Sequence, residues 1–464
     1  MRRLFGTDGI RGPSGRYPVT AEMGVKIGMA AALWVLEREN PEEPPMIVVG
    51  RDTRLSGRML EHALAAGICA MGVHAGLVGA LPTPGVALMT ASMKEAGAGI
   101  VISASHNVYS DNGFKFFDQD GFKLTDEVEF EIEKKILDKH AGRSLEEKTD
   151  PGRVFYMDDA VEKYADFICG DPKLSLKQTR IVLDCANGAA FQSAGRVFSR
   201  LGAEVVDILG VHPDGKNINE GCGSQSPGRL ARAVVEKKAD AGLAFDGDGD
   251  RVVAVDEKGN VLSGDQVIWI CARDLFKQAV SKKDPSKKSA LQKNKVVVTT
   301  VMSNAGLGRA LEGMGVRHVA SKVGDRHVLE EMRRQGAVLG GEDSGHIIFL
   351  DRHTTGDGIL AGARLLKAMS NAGRPLSELA GGMRIYPQSM VNVEVREKIP
   401  VENVPAIADI IEKIKKKLGP EGRILVRYSG TEPCMRIMAQ GPSKEETDMR
   451  CREIADIVKK EIGK

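Results

Sequence analysis

Aromatic side chains are scarce in this chain: Phe, Tyr and Trp supply 5% of its 464 residues, and only two are Trp. Surfaces that hold nucleic acid strands stack bases on such rings along a basic groove. The one Lys-rich stretch, 281–295, has Pro285 and three serines but no aromatic residue, so it reads as a solvated loop. Charge of one sign is missing as well. Lys and Arg number 65 against 63 Asp and Glu, a net +2. No global field favours nucleic acid or membrane, so an anionic ligand must be held by local groups. No apolar run reaches the ~18–20 residues of a membrane span. The opening MRRLFGTD lacks an apolar signal core, which makes the cytoplasm the expected compartment. Cys69, Cys169, Cys185, Cys222, Cys271, Cys434 and Cys451 form no CxxC pair and suit reduced thiols better than disulfides or zinc. No Walker loop and no GxGxxG fingerprint is present, which removes ATP and NAD as obvious cofactors.

What is present is alternation. Short Val- and Ile-rich runs at 46–49, 99–102, 181–183, 252–255 and 296–301 read as buried strands. Longer helical patterns lie between them. At 126–137, Val128, Ile132 and Ile136 recur every four residues behind an acidic first turn. Such alternation predicts α/β units with parallel sheet. A strand–turn–helix pattern recurs at VVGRDT (48–53), VLDCANG (182–188) and TTVMSNAG (299–306), at a spacing that suits three successive domains. The end differs. Strands at 391–395, 424–426 and 437–438, a stripe of Ile407, Ile410, Ile411, Ile414 and Leu418, and a last helix at 443–462 predict a small α+β unit. Four domains are expected: 1–150, 151–258 and 259–372 as α/β units, and 373–464 as the α+β unit.

Five loops carry candidate chemistry. SASHN at 103–107 follows a strand, where open α/β sheets place ligands. Ser105 can accept and donate a phosphoryl group, with His106 and Asn107 to orient it. An ST-turn ending a strand is the alternative. In DGDGDR at 246–251, Asp246, Asp248 and Asp250 can converge on one hard cation, with glycines that let the backbone fold around it. With Glu257 they also fill positions 1, 3, 5 and 12 of a helix-flanked calcium loop. Arg251 stands where that loop needs Gly, and the flanks read as strands, which favours a catalytic Mg²⁺. RYSGTEP at 427–433, with Arg436, offers hydroxyls, glycine amides and two arginines as a phosphate cradle, or else a Gly-Pro turn. GGEDSGH at 340–346 joins two strands; Glu342 and Ser344 can hydrogen-bond a sugar, or the segment is a plain hairpin loop. FGTDGIRG at 5–12 presents Arg11 to a phosphate or to a surface salt bridge. SKVGDRH at 321–327 offers Lys322 and His327 as acid/base candidates, or as exposed surface.

Taken in this order along the whole chain, FGTDGIRG, SASHN, DGDGDR, GGEDSGH and RYSGTEP resemble the five functional loops of the α-D-phosphohexomutase superfamily. FGTDGIRG, SASHN and KVGDR at 322–326 look most like its branch acting on glucosamine phosphates; mannose and glucose phosphates are the alternative substrates. The resemblance implies three related α/β domains and a smaller C-terminal one around a central cleft. It implies a phosphorylated Ser105, primed by a hexose or hexosamine 1,6-bisphosphate, and one Mg²⁺ per chain held by Asp246, Asp248, Asp250 and the Ser105 phosphate. Arg11, Lys322 and His106 would be catalytic. Arg251, Glu342 and Ser344 would bind the substrate, and Arg427, Ser429, Gly430, Thr431 and Arg436 would grip its non-reacting phosphate. The implied partner is a small sugar phosphate, with neither nucleic acid nor membrane, in a monomer or homodimer. Three departures stand out: Val108 where the superfamily usually has Pro after SASHN, Tyr428 for Pro in the last loop, and Asp343 for Gln in the sugar loop.

Overall fold

In a computed structural model of the chain, the residues described are 4–6, 8–39, 43–138, 150–281, 294–419, 422–429 and 433–464. They fall into two compact units. One is Met1–Thr300 with Ser321–Ala380, the other Val301–Ala320 with Gly381–Lys464.

The first unit contains two large sheets and part of a third. The six-stranded sheet runs in the order Ile10–Pro13, Asp111–Asp118, Ala96–Ile102, Met46–Arg51, His74–Ala80, Val154–Tyr156. The five-stranded sheet runs Val261–Leu262, Val252–Asp256, Ala241–Phe245, Arg180–Asp184, Glu204–Leu209. In the third, Val296–Thr300 pairs parallel with Leu339–Gly341, which pairs antiparallel with Ile347–Phe349.

The expectation of parallel sheet needs correction, because all three sheets are mixed. Met46–Arg51 pairs parallel with both neighbours, and so does Arg180–Asp184. Asp111–Asp118 and Val252–Asp256, by contrast, run antiparallel to the strands before them. The cause is chain length. A parallel crossover needs a dozen or more residues, and the connections 103–110 and 246–251 are shorter. SASHN, DGDGDR and GGEDSGH therefore all sit at the tips of antiparallel strand pairs, fixed on both sides by ladder hydrogen bonds.

The helix Asp126–Leu137 spans the expected residues, with Asp126, Glu127 and Glu129 in its first turn and Lys134 and Lys135 in its last. These charges complement the helix dipole, and buried Ile132 and Ile136 turn its apolar side inward. A fully buried carboxylate starts another helix. Asp357 Oδ1 accepts from Leu360 N at 2.9 Å and from the Tyr164 hydroxyl at 2.8 Å, capping Gly358–Ala372. Burial, only partly offset by these bonds, raises its pKa from 3.8 to about 6. The folded chain thus holds a proton that the unfolded chain has released. Stability from this group is present below pH 3.8 and is lost as pH rises through 6, by roughly 3 kcal/mol in all. D357N keeps the acceptor and removes the titration. Its denaturation free energy should gain on that of the parent by about that amount between pH 4 and pH 7. A difference that does not change with pH would disprove the assignment.

The second unit is built on one antiparallel sheet, Gln388–Glu394, Cys434–Gln440, Arg423–Tyr428. The expected stripe is there: on Pro405–Leu418, residues Ile407, Ile411, Ile414 and Leu418 are buried, with Ile410 half-buried beside them. They pack with Ile437, Ile454 and Val458 of the sheet and of the last helix, Lys444–Ile462. Each such side chain contributes ~1.5–3 kcal/mol on burial. Among the described residues, no helix is long and apolar enough to cross a membrane.

Candidate active site

Ser105 lies just beyond the fully buried strand Ala96–Ile102, at φ 53°, a left-handed backbone that non-glycine residues seldom adopt. The Ser103 hydroxyl accepts from Ser105 N at 2.9 Å and donates to Asp52 at 2.6 Å. The turn directs Ser105 Oγ to Asp246 Oδ2, 2.6 Å away. His106 Nδ1 lies 3.3 Å from the same hydroxyl and 2.9 Å from the Arg251 guanidinium, which must donate to it. Burial first, then Arg251 and Arg11, bring the pKa of His106 down to about 4, so the ring is neutral at pH 7.

Asp246, Asp248 and Asp250 are all buried, and one oxygen of each lies within 4.8 Å of the others. Asp248 Oδ1 and Asp250 Oδ1 have no hydrogen-bond partner among the described residues. Buried carboxylate oxygens are rarely left unpaired, and three such groups beside a serine hydroxyl make a donor set that suits a hard divalent cation. The calcium-loop alternative fails. The flanks are strands, and Glu257 turns elsewhere, accepting from the Ser377 hydroxyl and, at 3.3 Å, from Ser377 N. Glycine is required at 247, where a Cβ would sit 2.5 Å from the Ser105 carbonyl oxygen. The serine and carboxylate loops touch through main chain at that point.

The charge is balanced from an unexpected quarter. Lys115, buried on Asp111–Asp118, donates to Asp248 Oδ2 at 2.6 Å and Asp250 Oδ2 at 3.2 Å, and lies 3.3 Å from Asp8. Burial alone would lower its pKa, but Asp248, Asp250 and Asp8 hold it well above 10.5. Asp250 has the mirror-image balance: burial would raise its pKa, yet Lys115 and His346 hold it well below 3.8. Asp246, facing burial, Asp250 and Asp248 together, is pushed well above the usual carboxylate range. Around this core, Arg11 pairs with Asp8, and Lys123 bridges Asp8 and Asp325. The buried His346 ring lies 3.7 Å from Asp250 and 3.8 Å from Asp325.

The fold thus brings Ser105, His106, Arg11, Arg251 and the three aspartates together. Glu342 lies close enough to Arg251 to raise its pKa, and Glu342 Oε1 accepts from Gly324 N at 3.0 Å, which joins the GGEDSGH and KVGDR loops. Lys322 and Ser344 are exposed on those loops. In the second unit, Arg427 and Arg436 face each other across adjacent strands, and Arg436 reaches Ser429 Oγ at 3.5 Å. Burial, then Arg436, lowers the pKa of Arg427, so the pair is a concentrated positive charge. Gly430 and Thr431, and Thr7 of the first motif, lie outside the described residues. Sequence reasoning passed over Lys115, Arg54, Thr83 and Asn219. For Lys115 a signal existed: a lysine inside NGFKFF, in a run otherwise made for burial, demands buried carboxylates.

Models of the phosphoglucomutase/phosphomannomutase family match four successive stretches: alpha/beta/alpha domain I at 2–143, domain II at 156–259, domain III at 263–386 and the C-terminal domain at 390–457. The phosphoglucosamine mutase of Syntrophus aciditrophicus (strain SB) is 51% identical, over 100% of both chains. Among solved structures, a phosphoglucomutase/phosphomannomutase family protein of Burkholderia thailandensis superposes with a TM-score of 0.78 at 27% identity, covering 98% of this chain and 97% of that one. The N-acetylphosphoglucosamine mutase of Aspergillus fumigatus, in complex with GlcNAc-6P and magnesium, shares the fold at TM-score 0.69 and 17% identity, over 99% and 96% of the two chains.

Proposed function

The chain belongs to the phosphoglucomutase/phosphomannomutase family, and we propose that it interconverts glucosamine 6-phosphate and glucosamine 1-phosphate, with Ser105 carrying the phosphoryl group between the two half-reactions. It is an enzyme, an intramolecular phosphotransferase. The observation that carries the reading is Ser105 Oγ held 2.6 Å from Asp246, at the edge of a buried carboxylate cluster in which two oxygens accept no hydrogen bond among the described residues.

In the forward direction, the bond between phosphorus and Ser105 Oγ breaks as one to O1 of glucosamine 6-phosphate forms. The bisphosphate turns over, and its 6-phosphoryl group passes back to Oγ. A Mg²⁺ held by Asp246, Asp248, Asp250 and the Ser105 phosphate would neutralise charge on the transferring group. Arg11 and Arg251 supply further positive charge beside it. His106 is neutral and accepts from Arg251, and so fixes the direction of that guanidinium. Lys322 is assigned to proton transfer. Glu342 and Ser344 are assigned to the sugar, and Arg427, Ser429, Gly430, Thr431 and Arg436 to the phosphate that is not reacting. The seven free thiols suit a cytoplasmic enzyme.

The test is a comparison of kcat/KM for the 6-phosphates of glucosamine, mannose and glucose, on protein whose intact mass carries one phosphoryl group. Glucosamine 6-phosphate should lead by about 10²-fold, the scale on which pockets separate substrates by one polar group. Equal values would overturn the sugar assignment. Free phosphate as the main product would overturn the mutase.

A further inference from the structure

The serine loop has few main-chain bonds of its own between Ala96–Ile102 and Asp111–Asp118, chiefly Asn107 N to Ala104 O and Asp111 N to Val108 O, both 3.1 Å. Its carbonyls turn instead toward one side chain. Arg54, fully buried, donates through Nη2 to the carbonyls of Ser105 and Asn107, both at 2.9 Å, and through Nη1 to those of Asp111, at 3.1 Å, and Val108. Its Nε donates to Asp52 Oδ2 at 2.8 Å, and that oxygen also accepts from the Ser103 hydroxyl that fixes Ser105 N. Asn219 Nδ2 donates to the same two carbonyls, Ser105 and Asn107, at 3.0 Å each. Asn219 is itself held at φ 60° by Asn219 N donating to the Ala186 carbonyl at 2.9 Å.

We propose that Arg54 and Asn219 are positioning residues for the phosphoryl transfer. They form a clamp that fixes the Ser105 carbonyl, while Arg54, through Asp52, also braces the Ser103 hydroxyl that holds Ser105 N, and so aims the Ser105 hydroxyl. They act through the backbone, while Oγ keeps Asp246 and His106 as its partners. Arg54 and Asp52 are both fully enclosed and of opposite charge, so their contribution is geometric rather than a net field at the phosphate. In-line transfer is sensitive to such geometry: a displacement near 1 Å costs about 10²-fold in rate. Sugar contacts lie on other loops, so the loss should fall on kcat and spare KM.

This inference rests on the reading that Ser105 carries the phosphoryl group. The experiment compares R54K and N219A with the parent and with Ser105→Ala. R54K keeps a cation opposite Asp52, but an ammonium cannot span four carbonyls. Its kcat should fall by about 10²-fold, and that of N219A by about 10-fold, with KM for the sugar phosphate within about 3-fold of the parent. Loading of the phosphoryl group from a hexose 1,6-bisphosphate, followed by intact mass, should slow in step with kcat. Parent-like kcat in a folded R54K overturns the clamp, and so does a rise in KM that accounts for the loss. If R54K does not fold, N219A decides, and parent-like kcat and loading there overturn the proposal. An active Ser105→Ala overturns the underlying phosphoserine reading instead, which keeps the two failures distinct.

Discussion

Replacing Ser105 with alanine is expected to remove conversion of glucosamine 6-phosphate, a loss on the order of 10⁴–10⁶-fold, as when a covalent nucleophile is deleted elsewhere. The nearest hydroxyl in the loop cannot substitute. Ser103 Oγ donates to Asp52 and accepts from Ser105 N, so its proton and its direction are committed to the turn. It also lies on the Asp52 side, whereas Ser105 Oγ lies against Asp246. The variant should fold. Alanine tolerates the φ of 53° no worse than serine, and Asp246 keeps a hydrogen bond from Arg251 N at 3.1 Å. Asp246 Oδ2 does lose its partner, which costs ~1–3 kcal/mol for a buried acceptor. A modest drop in melting temperature should therefore accompany the complete loss of turnover. Intact mass after incubation with a hexose 1,6-bisphosphate should show no added phosphoryl group. Turnover at the parent rate would remove Ser105 from the mechanism.

The candidate loops stood out in the sequence because their chemistry is local. Three aspartates at alternate positions, with glycine between, force a cation reading whatever surrounds them. Strands at 46–49, 181–183 and 252–255 were legible because the runs are apolar and buried, with Val253 alone among these residues half-buried. The sense of the strands was misjudged where an α/β pattern suggested crossovers, although the loops 103–110 and 246–251 were already too short to hold one. What a single sequence hides is long-range pairing. Arg54 stands just past VVGRDT, outside the strand–turn–helix echo, and its four acceptors lie on the serine loop and on the first residue of the strand that follows it. Asn219 meets the same loop from yet another part of the chain, and Thr83 donates to Asp248 at 2.7 Å. These contacts depend on tertiary approach and leave no periodicity or spacing to read.

Lys115 tests the electrostatic account most severely, because its one enclosed ammonium meets three carboxylates. It is enclosed, and its ammonium contacts Asp248, Asp250 and Asp8. K115M retains most of the side-chain volume and removes the charge. Leaving buried partners of an ion cluster uncompensated costs about 3–5 kcal/mol, so in EDTA the variant should unfold well before the parent. The pH dependence has a definite sign. In the parent, Lys115 keeps Asp250 ionised far below 3.8, and the stability this contributes is present above pH 3.8 and lost as pH falls further. The gap between parent and variant should therefore be full at pH 7 and narrow only as the pH falls below 3.8. A divalent cation can take over the missing compensation at Asp248 and Asp250, whose second oxygens accept no hydrogen bond among the described residues. Ligand binding at 100 times Kd adds about 2.7 kcal/mol, so Mg²⁺ should recover much of what K115M loses. The parent, already neutralised in part by Lys115, should gain less. Equal denaturation midpoints for K115M and parent in EDTA at pH 7 would refute the cluster as described. A Mg²⁺ increment no larger in K115M than in the parent would show that lysine and cation do not share these carboxylates.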